Sequence, residues 1–159
     1  MNGKVEASLK QLSVLSKSLN EASDELSKQI SAIESALNQF KLGIWVWVHE
    51  PLLIETERSD PDENGKQFEY NYYHQLGYGK HNEKWGLLVS YYWEGSDENM
   101  KIVFLRDASR ELRIKAIGKI PALLDVLAEN MSELTQETTK KASEAKELAA
   151  ALNNNKKSR

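Results

Sequence analysis

The chain has 159 residues, about the length of one ordinary domain. It contains no cysteine, which excludes disulfides, a thiolate nucleophile and cysteine-ligated zinc, and no apolar run approaches the roughly 18 residues of a membrane span. The net charge of −3 gives no general attraction for nucleic acid, and the start of the sequence has no apolar signal core, so we expect a cytoplasmic protein bound to neither nucleic acid nor membrane.

Aromatic residues and acidic charge are concentrated in the middle of the chain. Of the 13 aromatic residues, 12 lie between Trp45 and Phe104, and residues 43–106 carry 11 acidic against 6 basic side chains. The flanking segments are aliphatic and nearly balanced in charge. We therefore divide a single domain into a stalk helix (1–42), a β head (43–106), a C-terminal helix (107–152) and a disordered basic tail (153–159).

The first segment carries one apolar stripe with heptad spacing. No proline interrupts the stripe, and Gly43 supplies a natural stop, so the pattern predicts one long helix. Such a stripe needs a partner, either within its own domain or on another chain. Its two tracks are Val5, Leu12, Leu19, Leu26, Ile33 and Phe40, and Leu9, Ser16, Ser23, Ile30 and Leu37.

The last segment predicts a second long helix that starts near Ala108, with Asp107 as its N-cap. Pro121 and the nearby Gly118 predict a kink or break over residues 118–121, because proline removes a helical hydrogen bond and clashes with the preceding turn. Beyond it the heptad stripe resumes with Leu127, Leu134 and Leu148 on one track and Leu124, Met131 and Leu152 on the other.

The middle segment predicts four strands, at 44–56, 67–79, 84–94 and 100–106, which are rich in β-branched and aromatic residues. A two-residue turn at His81–Asn82 would pair Lys80 with Glu83 in the central hairpin. One face of that hairpin is then almost entirely apolar and aromatic, since strand residues alternate between faces. Its members are Tyr70, Tyr72, His74, Leu76, Tyr78, Trp85, Leu87, Val89, Tyr91 and Trp93.

These elements predict an α+β fold. Two long antiparallel helices form a coiled-coil stalk, and a four-stranded antiparallel meander forms a head inserted between them. A stalk of two helices leaves the edges of its apolar stripes exposed to water. Because pairing two stalks into a four-helix bundle would bury those edges, we expect a homodimer through the helices. In this topology the loops near residues 57–66 and 95–99 lie at the far tip of the head, and helix residues 108–119 cover part of the aromatic face.

Acidic side chains collect at that tip. They either keep the end of the sheet soluble or form a docking surface for a basic partner protein. The candidate partner-binding acids are Glu55, Glu57, Asp60, Asp62, Glu63, Asp97 and Glu98.

Tryptophan and tyrosine side chains provide a second candidate surface. They either form the core of the head beneath the second helix or leave an exposed patch typical of interfaces. Trp45 and Trp47 share a strand face and would extend that patch. The candidate residues are Trp45, Trp47, Trp85, Trp93 and Tyr91.

Other motifs predict little chemistry. The sequence Asp60–Gly65 matches the first half of a calcium-binding loop, but the twelfth position is Asn71 instead of the bidentate glutamate, so an ordinary turn is the better interpretation. Arg106, Arg110 and Arg113 share one helical face, where they either contact phosphates or form surface ion pairs.

We find no catalytic triad, metal-binding motif or phosphate loop, and we predict no catalytic, cofactor or metal site. The sequence favours a non-enzymatic interaction or assembly module that self-associates through its helices and binds a partner through the head. The alternatives are a small-ligand module that uses the Trp/Tyr face or, less favoured, a hydrolytic enzyme that uses the acidic tip.

Overall fold

The computed structural model describes the backbone of residues 2–157 and, within that range, all side chains except those of residues 96–99. The chain is α+β, as predicted: helix α1 (Asn2–Gln39), an antiparallel sheet, a short 3-10 turn and helix α2 (Arg110–Lys157). Residues up to Leu123 form one compact unit, and α2 from Leu124 onward belongs to a second.

The sheet contains five strands, one more than predicted, with bounds β1 (Val46–Trp47), β2 (Leu53–Arg58), β3 (Glu69–His81), β4 (Lys84–Trp93) and β5 (Ser96–Phe104). Both β1 and β2 pair with one edge of β3, while β4 pairs with the other edge and carries β5 on its outer side. The loop predicted at residues 95–99 is replaced mostly by strand, because β5 begins at Ser96.

A bulge around Pro51 divides the first predicted strand in two. The N–H of Val48 donates to the carbonyl of Leu76 at 2.8 Å, and the N–H of Leu52 donates to the carbonyl of His74 at 2.7 Å. The chain therefore advances four residues from Val48 to Leu52 over the same length of the sheet in which β3 advances two, from Leu76 to His74. Proline has no N–H to contribute to a ladder, so the segment that contains it leaves the sheet.

The turn between β3 and β4 consists of Asn82 and Glu83, whose φ angles are 48° and 63°. These left-handed values belong to a two-residue type I′ hairpin, which favours Asn at its first position. The predicted turn was therefore one residue too early, and His81 pairs with Lys84. Each β3 residue therefore pairs with a β4 residue two positions further along the chain than predicted. Because two is an even number, the predicted division of side chains between the two faces is confirmed. We call the face that contains Tyr70, Tyr72, His74, Leu76 and Tyr78 the tyrosine face.

The core lies on the half of the tyrosine face nearest the end of α1. Leu76, Tyr78, Leu87 and Val89 are all at most 1% exposed there. On the α2 side Leu112, Ala116 and Leu123 are buried, and Ala108, Ser109 and Leu112 line a cavity together with residues of β4 and β5, so the expected cover of the sheet is confirmed for the first turn of this helix. An ion pair between Lys119 and Glu50 joins α2 to the bulge.

Helix α1 is buried only in its second half. Ile30 and Leu37 are 0% and 6% exposed, whereas every residue from 2 to 22 is exposed. The helix ends at Gln39, three residues before the predicted end. Left-handed backbone at Lys41 and Gly43 turns the chain toward β1. The apolar stripe therefore serves the core of the unit in one half and faces solvent in the other.

Helix α2 begins at Arg110, and its N-cap is Ser109 instead of Asp107, because the Ser109 hydroxyl accepts a hydrogen bond from the N–H of Leu112 at 3.3 Å. Helix α2 continues through Pro121, so the chain does not break at residues 118–121, and the kink there stays a prediction. Proline deprives the carbonyl of residue 117 of its helical partner, but Ile117 and Pro121 are exposed, so water can bind the carbonyl. Residues 153–157, predicted as tail, are helical.

Within residues 2–157, no helix combines the length and the apolar character needed to cross a lipid bilayer.

Candidate functional site

The bulge at Pro51 places two acidic side chains of β2 on the tyrosine face. In β1, Val46 pairs with Tyr78, whereas in β2, Leu53 pairs with His74. From the first pair to the second, the chain advances seven residues while β3 runs back four. Because the difference is odd, each side chain of β2 points to the face opposite to the one it would have in an uninterrupted strand. Glu55 now lies opposite Tyr72, and an uninterrupted strand would have put it on the other face.

Six side chains meet at the end of this face farthest from α1. Glu57 lies opposite Tyr70, beside the Glu55–Tyr72 pair. We call the group the acidic–aromatic surface; it consists of Glu55, Glu57, Tyr70, Tyr72, Tyr91 and Trp93. Four of the predicted partner-binding residues (Glu55, Glu57, Tyr91 and Trp93) are brought together in it.

The rings of this surface contact one another directly. The centroids of Tyr72 and Tyr91 are 5.2 Å apart in a stacked pair. Trp93 meets Tyr70 and Tyr72 edge to face, at 5.3 and 5.0 Å. Tyr72 is only 7% exposed, whereas Tyr70 and Trp93 are 38% and 37% exposed, so these two present the accessible part of the aromatic group.

The carboxylates give this surface a negative field. Burial raises the pKa of Tyr72, and the charge of Glu57 and its hydrogen bond with the phenol raise it further. Burial likewise raises the pKa of Tyr91, with smaller contributions from Glu57 and Glu55. Both phenols are consequently neutral at physiological pH, and the charge of the surface comes from the two glutamates.

His74 lies beside this surface and is 8% exposed. Its Nε2 is 3.5 Å from the carboxylate of Glu55 and forms no hydrogen bond with the described residues. The same imidazole lines a cavity of about 370 Å³ between the sheet and the start of α2, together with Tyr91, Lys101 and Ser109. A buried polar atom that lacks a hydrogen bond next to a cavity is a feature of ligand sites.

Three of the remaining predicted acids lie outside the acidic–aromatic surface. Asp60, Asp62 and Glu63 are exposed in the loop between β2 and β3. Asp62 has a structural role, because its carboxylate accepts hydrogen bonds from the N–H groups of residues 64 and 66 at 2.9 and 2.8 Å. The side chains of Asp97 and Glu98 lie outside the described residues.

Three predicted tryptophans lie elsewhere. Trp45 and Trp47 do share a face, with ring centroids 6.5 Å apart, but it is the opposite face of the sheet, where they cover Gly79 and Gly77. The expectation that they extend the tyrosine face is therefore wrong. Trp85 is on the tyrosine face but at its other end, where it stacks on Tyr78 at 5.9 Å beside the end of α1.

The three candidate arginines make contacts within the chain. Arg106 lies in the 3-10 turn before α2 and forms an ion pair with Glu34 at 2.6 Å, but the carboxylate is buried and the pair is not the surface pair that was predicted. Arg110 and Arg113 instead bond to polar groups of α1: Arg110 reaches Asn20 at 3.2 Å, and Arg113 reaches Ser23 at 3.1 Å. These side chains join the start of α2 to α1.

Sequence reasoning missed two acids near Trp93. Glu69 and Glu94 line a hollow of about 100 Å³ at the end of the surface, together with Tyr70, Asn71 and Trp93. The predicted turn at His81–Asn82 would place Glu69 directly opposite Glu94, a pair of like charges. In the structure Glu69 pairs with Arg58 on β2 instead, so Glu94 is free of that repulsion. The signal that was available was the preference of a type I′ turn for Asn at its first position, which sets Glu94 against Asn71 instead of Glu69.

Among the side chains that the structure describes, no three histidine or acidic residues are grouped in a way that would hold a metal ion. Searches of protein-family models, curated proteins and solved structures give no match for this chain.

Proposed function

We propose that this chain is a non-enzymatic interaction module that binds a basic segment of a partner protein on its acidic–aromatic surface. One observation carries the proposal: the Pro51 bulge aligns Glu55 and Glu57 with Tyr72 and Tyr70 on one exposed end of the sheet. Carboxylates attract a cation over long range, and aromatic faces hold it at short range through cation–π contact. A cluster of carboxylates without aromatic rings would lack the cation–π contact.

We also propose that the helices form a coiled-coil stalk through which the chain associates with a second copy, in keeping with a scaffold of the cytoplasm. This proposal is supported by the exposed heptad stripe in the first half of α1, where Val5, Leu9, Leu12 and Leu19 are 49–61% exposed. In α2, Leu134, Leu148 and Leu152 are 44–66% exposed along the predicted second stripe. Self-association would give each assembly two partner-binding heads and therefore avidity.

Peptide binding tests the partner surface. A fluorescent peptide with alternating basic and small polar residues should bind the full chain, and raising the salt concentration should weaken the affinity. The charge-reversed Glu55→Lys/Glu57→Lys variant should bind at least about tenfold more weakly, since two ion pairs become repulsions. The matched control, Glu129→Lys/Glu133→Lys, makes the same charge change on exposed residues of α2. Equal affinity of the two variants would contradict the proposal.

A second candidate function is binding of a small ligand in the cavity beside His74. It is favoured by the buried Nε2 that lacks a hydrogen bond and by the mixed apolar and polar lining that includes Val89, Lys101 and Ser109. Thermal denaturation against a panel of small metabolites tests this function. A compound that stabilises the native chain but not a Val89→Phe variant, in which the larger side chain fills the cavity, would favour it over protein binding.

A further inference from the structure

A cavity of about 560 Å³ lies where the end of α1 meets the edge of β4. Independently of the proposed function, we propose that this cavity is a site for a phosphate dianion, carried by a small ester or free in solution. The lining residues that support the proposal are Glu34, Asn38, Lys41, Lys84, Trp85 and Arg106.

The edge of β4 is open at this cavity because β5 ends too early to cover it. The last pair that the two strands form is Leu88 with Phe104, so residues 84–87 have no neighbouring strand on that side. Helix α1 replaces the missing strand only in part. Glu34 accepts a hydrogen bond from the N–H of Leu87 at 2.9 Å and so satisfies the first open position.

The next open position keeps one backbone donor for a ligand. In an antiparallel ladder the N–H and the C=O of one residue point to the same side. The carbonyl of Trp85 points away from β3, because it accepts from the side-chain amide of Asn38 at 3.0 Å. The N–H of Trp85 therefore also points to the open edge, where it has no hydrogen-bond partner among the described residues. Backbone N–H groups of this kind bind phosphate oxygens.

The charge around the cavity is positive. Lys41, Lys84 and Arg106 line it against one carboxylate, and the ion pair of that carboxylate with Arg106 leaves two positive charges. Neither lysine forms an ion pair with a described residue, since Glu83, the acid next to Lys84, is paired with Lys80 at 2.8 Å. The end of α1 contributes a partial negative charge of only about half a unit. The remaining charge matches a phosphate monoester, which carries about two negative charges.

Arg106 is held in place and still has donors for a ligand. Its Nη1 bonds to Glu34, and its guanidinium lies over the ring of Phe104, 4.2 Å from the centroid. Its other nitrogens form no hydrogen bond with the described residues, and the side chain is 35% exposed. A guanidinium fixed in this way presents forked donors that match the oxygens of a phosphate.

The position of the cavity at a strand edge explains how these groups meet. Neighbouring strand residues point to opposite faces, so the side chains of Lys84 and Trp85 leave the sheet on opposite sides. Both residues line the cavity because it lies beside the edge of β4 and not above one face. A volume of about 560 Å³ is typical of small-molecule sites and leaves room for an organic group beside the phosphate.

Calorimetric titration of the full chain at pH 8 with phenyl phosphate, phenyl sulfate and inorganic phosphate tests the assignment. Phenyl phosphate and phenyl sulfate have nearly the same shape but differ by one charge at this pH. Phenyl phosphate should therefore bind at least about tenfold more tightly. Inorganic phosphate distinguishes the two sources of the anion: weaker binding than phenyl phosphate assigns the site to an ester, and equal binding assigns it to free phosphate.

Two pairs of substitutions test the location. Lys41→Met/Lys84→Met removes both unpaired charges from exposed residues, so the fold should be kept, and phenyl phosphate should bind at least about tenfold more weakly. The control, Lys140→Met/Lys146→Met, makes the same charge change on exposed residues of α2 and should bind like the native chain. In NMR spectra of the native chain, phenyl phosphate should shift the amide of Trp85 more than the amides of β2.

The contrary results would each overturn the assignment. Equal affinity for phenyl phosphate and phenyl sulfate would show that the site does not select a dianion. Equal affinity of the two lysine variants, or a Trp85 amide that does not respond to a saturating probe, would place the anion elsewhere. If none of the three probes binds, the cavity is not a phosphate site, and the proposed function of the acidic–aromatic surface still stands on its own test.

Discussion

Glu34 of α1 accepts a hydrogen bond from the backbone N–H of Leu87 at 2.9 Å, where β4 has no neighbouring strand on that side. The pairing of β5 with β4 ends at Phe104 opposite Leu88, so this N–H would otherwise have no partner. The other carboxylate oxygen of Glu34 accepts from Arg106 at 2.6 Å. One buried side chain therefore joins the first helix, the edge of the sheet and the turn that leads into the second helix.

Replacement of this carboxylate should destabilise the unit strongly. Glu34→Ala leaves a buried N–H at Leu87 and removes the partner of Arg106, and we expect a loss of about 3 kcal/mol in the free energy of unfolding. Glu34→Gln keeps an acceptor for the N–H and should lose less. Urea denaturation followed by tryptophan fluorescence measures both values.

The control for Glu34 is Glu25→Ala on the same helix. Glu25 is exposed and accepts a hydrogen bond from the side chain of Gln29, one turn further along, at 2.7 Å, so its loss should change the free energy of unfolding by less than about 0.5 kcal/mol. If the two alanine variants had equal stability, the structural role assigned to Glu34 would be wrong.

Glycine at position 77 is required by the approach of β1. A Cβ at Gly77 would overlap the Trp47 ring and lie 2.7 Å from the carbonyl oxygen of Val46, a backbone atom that cannot rotate away. Gly77→Ala should therefore cost about 2–3 kcal/mol. Gly118→Ala is the matched control: apart from the flanking residues and the backbone of its own helix, no atom of the chain lies within 4 Å of the added carbon, and alanine in a helix interior should stabilise by about 0.5–1 kcal/mol. Chemical denaturation of both variants checks the opposite signs, and a neutral Gly77→Ala would contradict this account.

The sequence predicted which residues share a face of the sheet better than it predicted the strand register. Alternation along β3 and β4 identified the tyrosine face, because the buried pattern survives any register error of two residues. It did not fix the turn: His81–Asn82 and Asn82–Glu83 both suit a two-residue hairpin. The preference of a type I′ turn for Asn at its first position favours the observed one.

The candidate site was predictable only in parts. Glu55, Glu57, Tyr91 and Trp93 were each identified, but the acids and the aromatic rings were assigned to two separate surfaces. Their union depends on the bulge at Pro51, and the number of residues that a bulge inserts is set by tertiary packing. In the same way, the heptad stripe of α1 looked uniform in sequence, whereas only its second half meets the sheet.

Stability at high pH should depend on Tyr78. Burial raises the pKa of this phenol, and the negative charge of Glu34 raises it further, so the folded state favours the protonated form. The contribution of the protonated phenol to the free energy of unfolding is fully present below the pKa of about 10 that tyrosine has in the unfolded chain. It is lost as the pH rises through the higher pKa of the folded state.

Tyr78→Phe removes that ionisation together with the hydrogen bond that the Tyr78 hydroxyl donates to Asn38 at 2.8 Å. The variant should be about 1 kcal/mol less stable at pH 8 and should lose less stability than the native chain between pH 10 and 11. Urea midpoints measured across this interval provide the comparison, and parallel pH dependences of the two proteins would show that Tyr78 does not carry the effect.

Disruption of the exposed half of the α1 stripe should abolish self-association. Leu12 and Leu19 are 61% and 49% exposed in the chain, and burial of a leucine in a coiled-coil seam contributes about 1.5–3 kcal/mol. Leu12→Glu/Leu19→Glu places two charges in that seam and should give a monomer at tens of micromolar, where sedimentation velocity should show the native chain as a dimer. Ser18→Glu, on the other side of the helix, should remain dimeric. A monomeric native chain at these concentrations would contradict the proposed stalk. Since both leucines are exposed, the near-UV circular dichroism of the head should be the same in all three proteins, which separates loss of association from loss of folding.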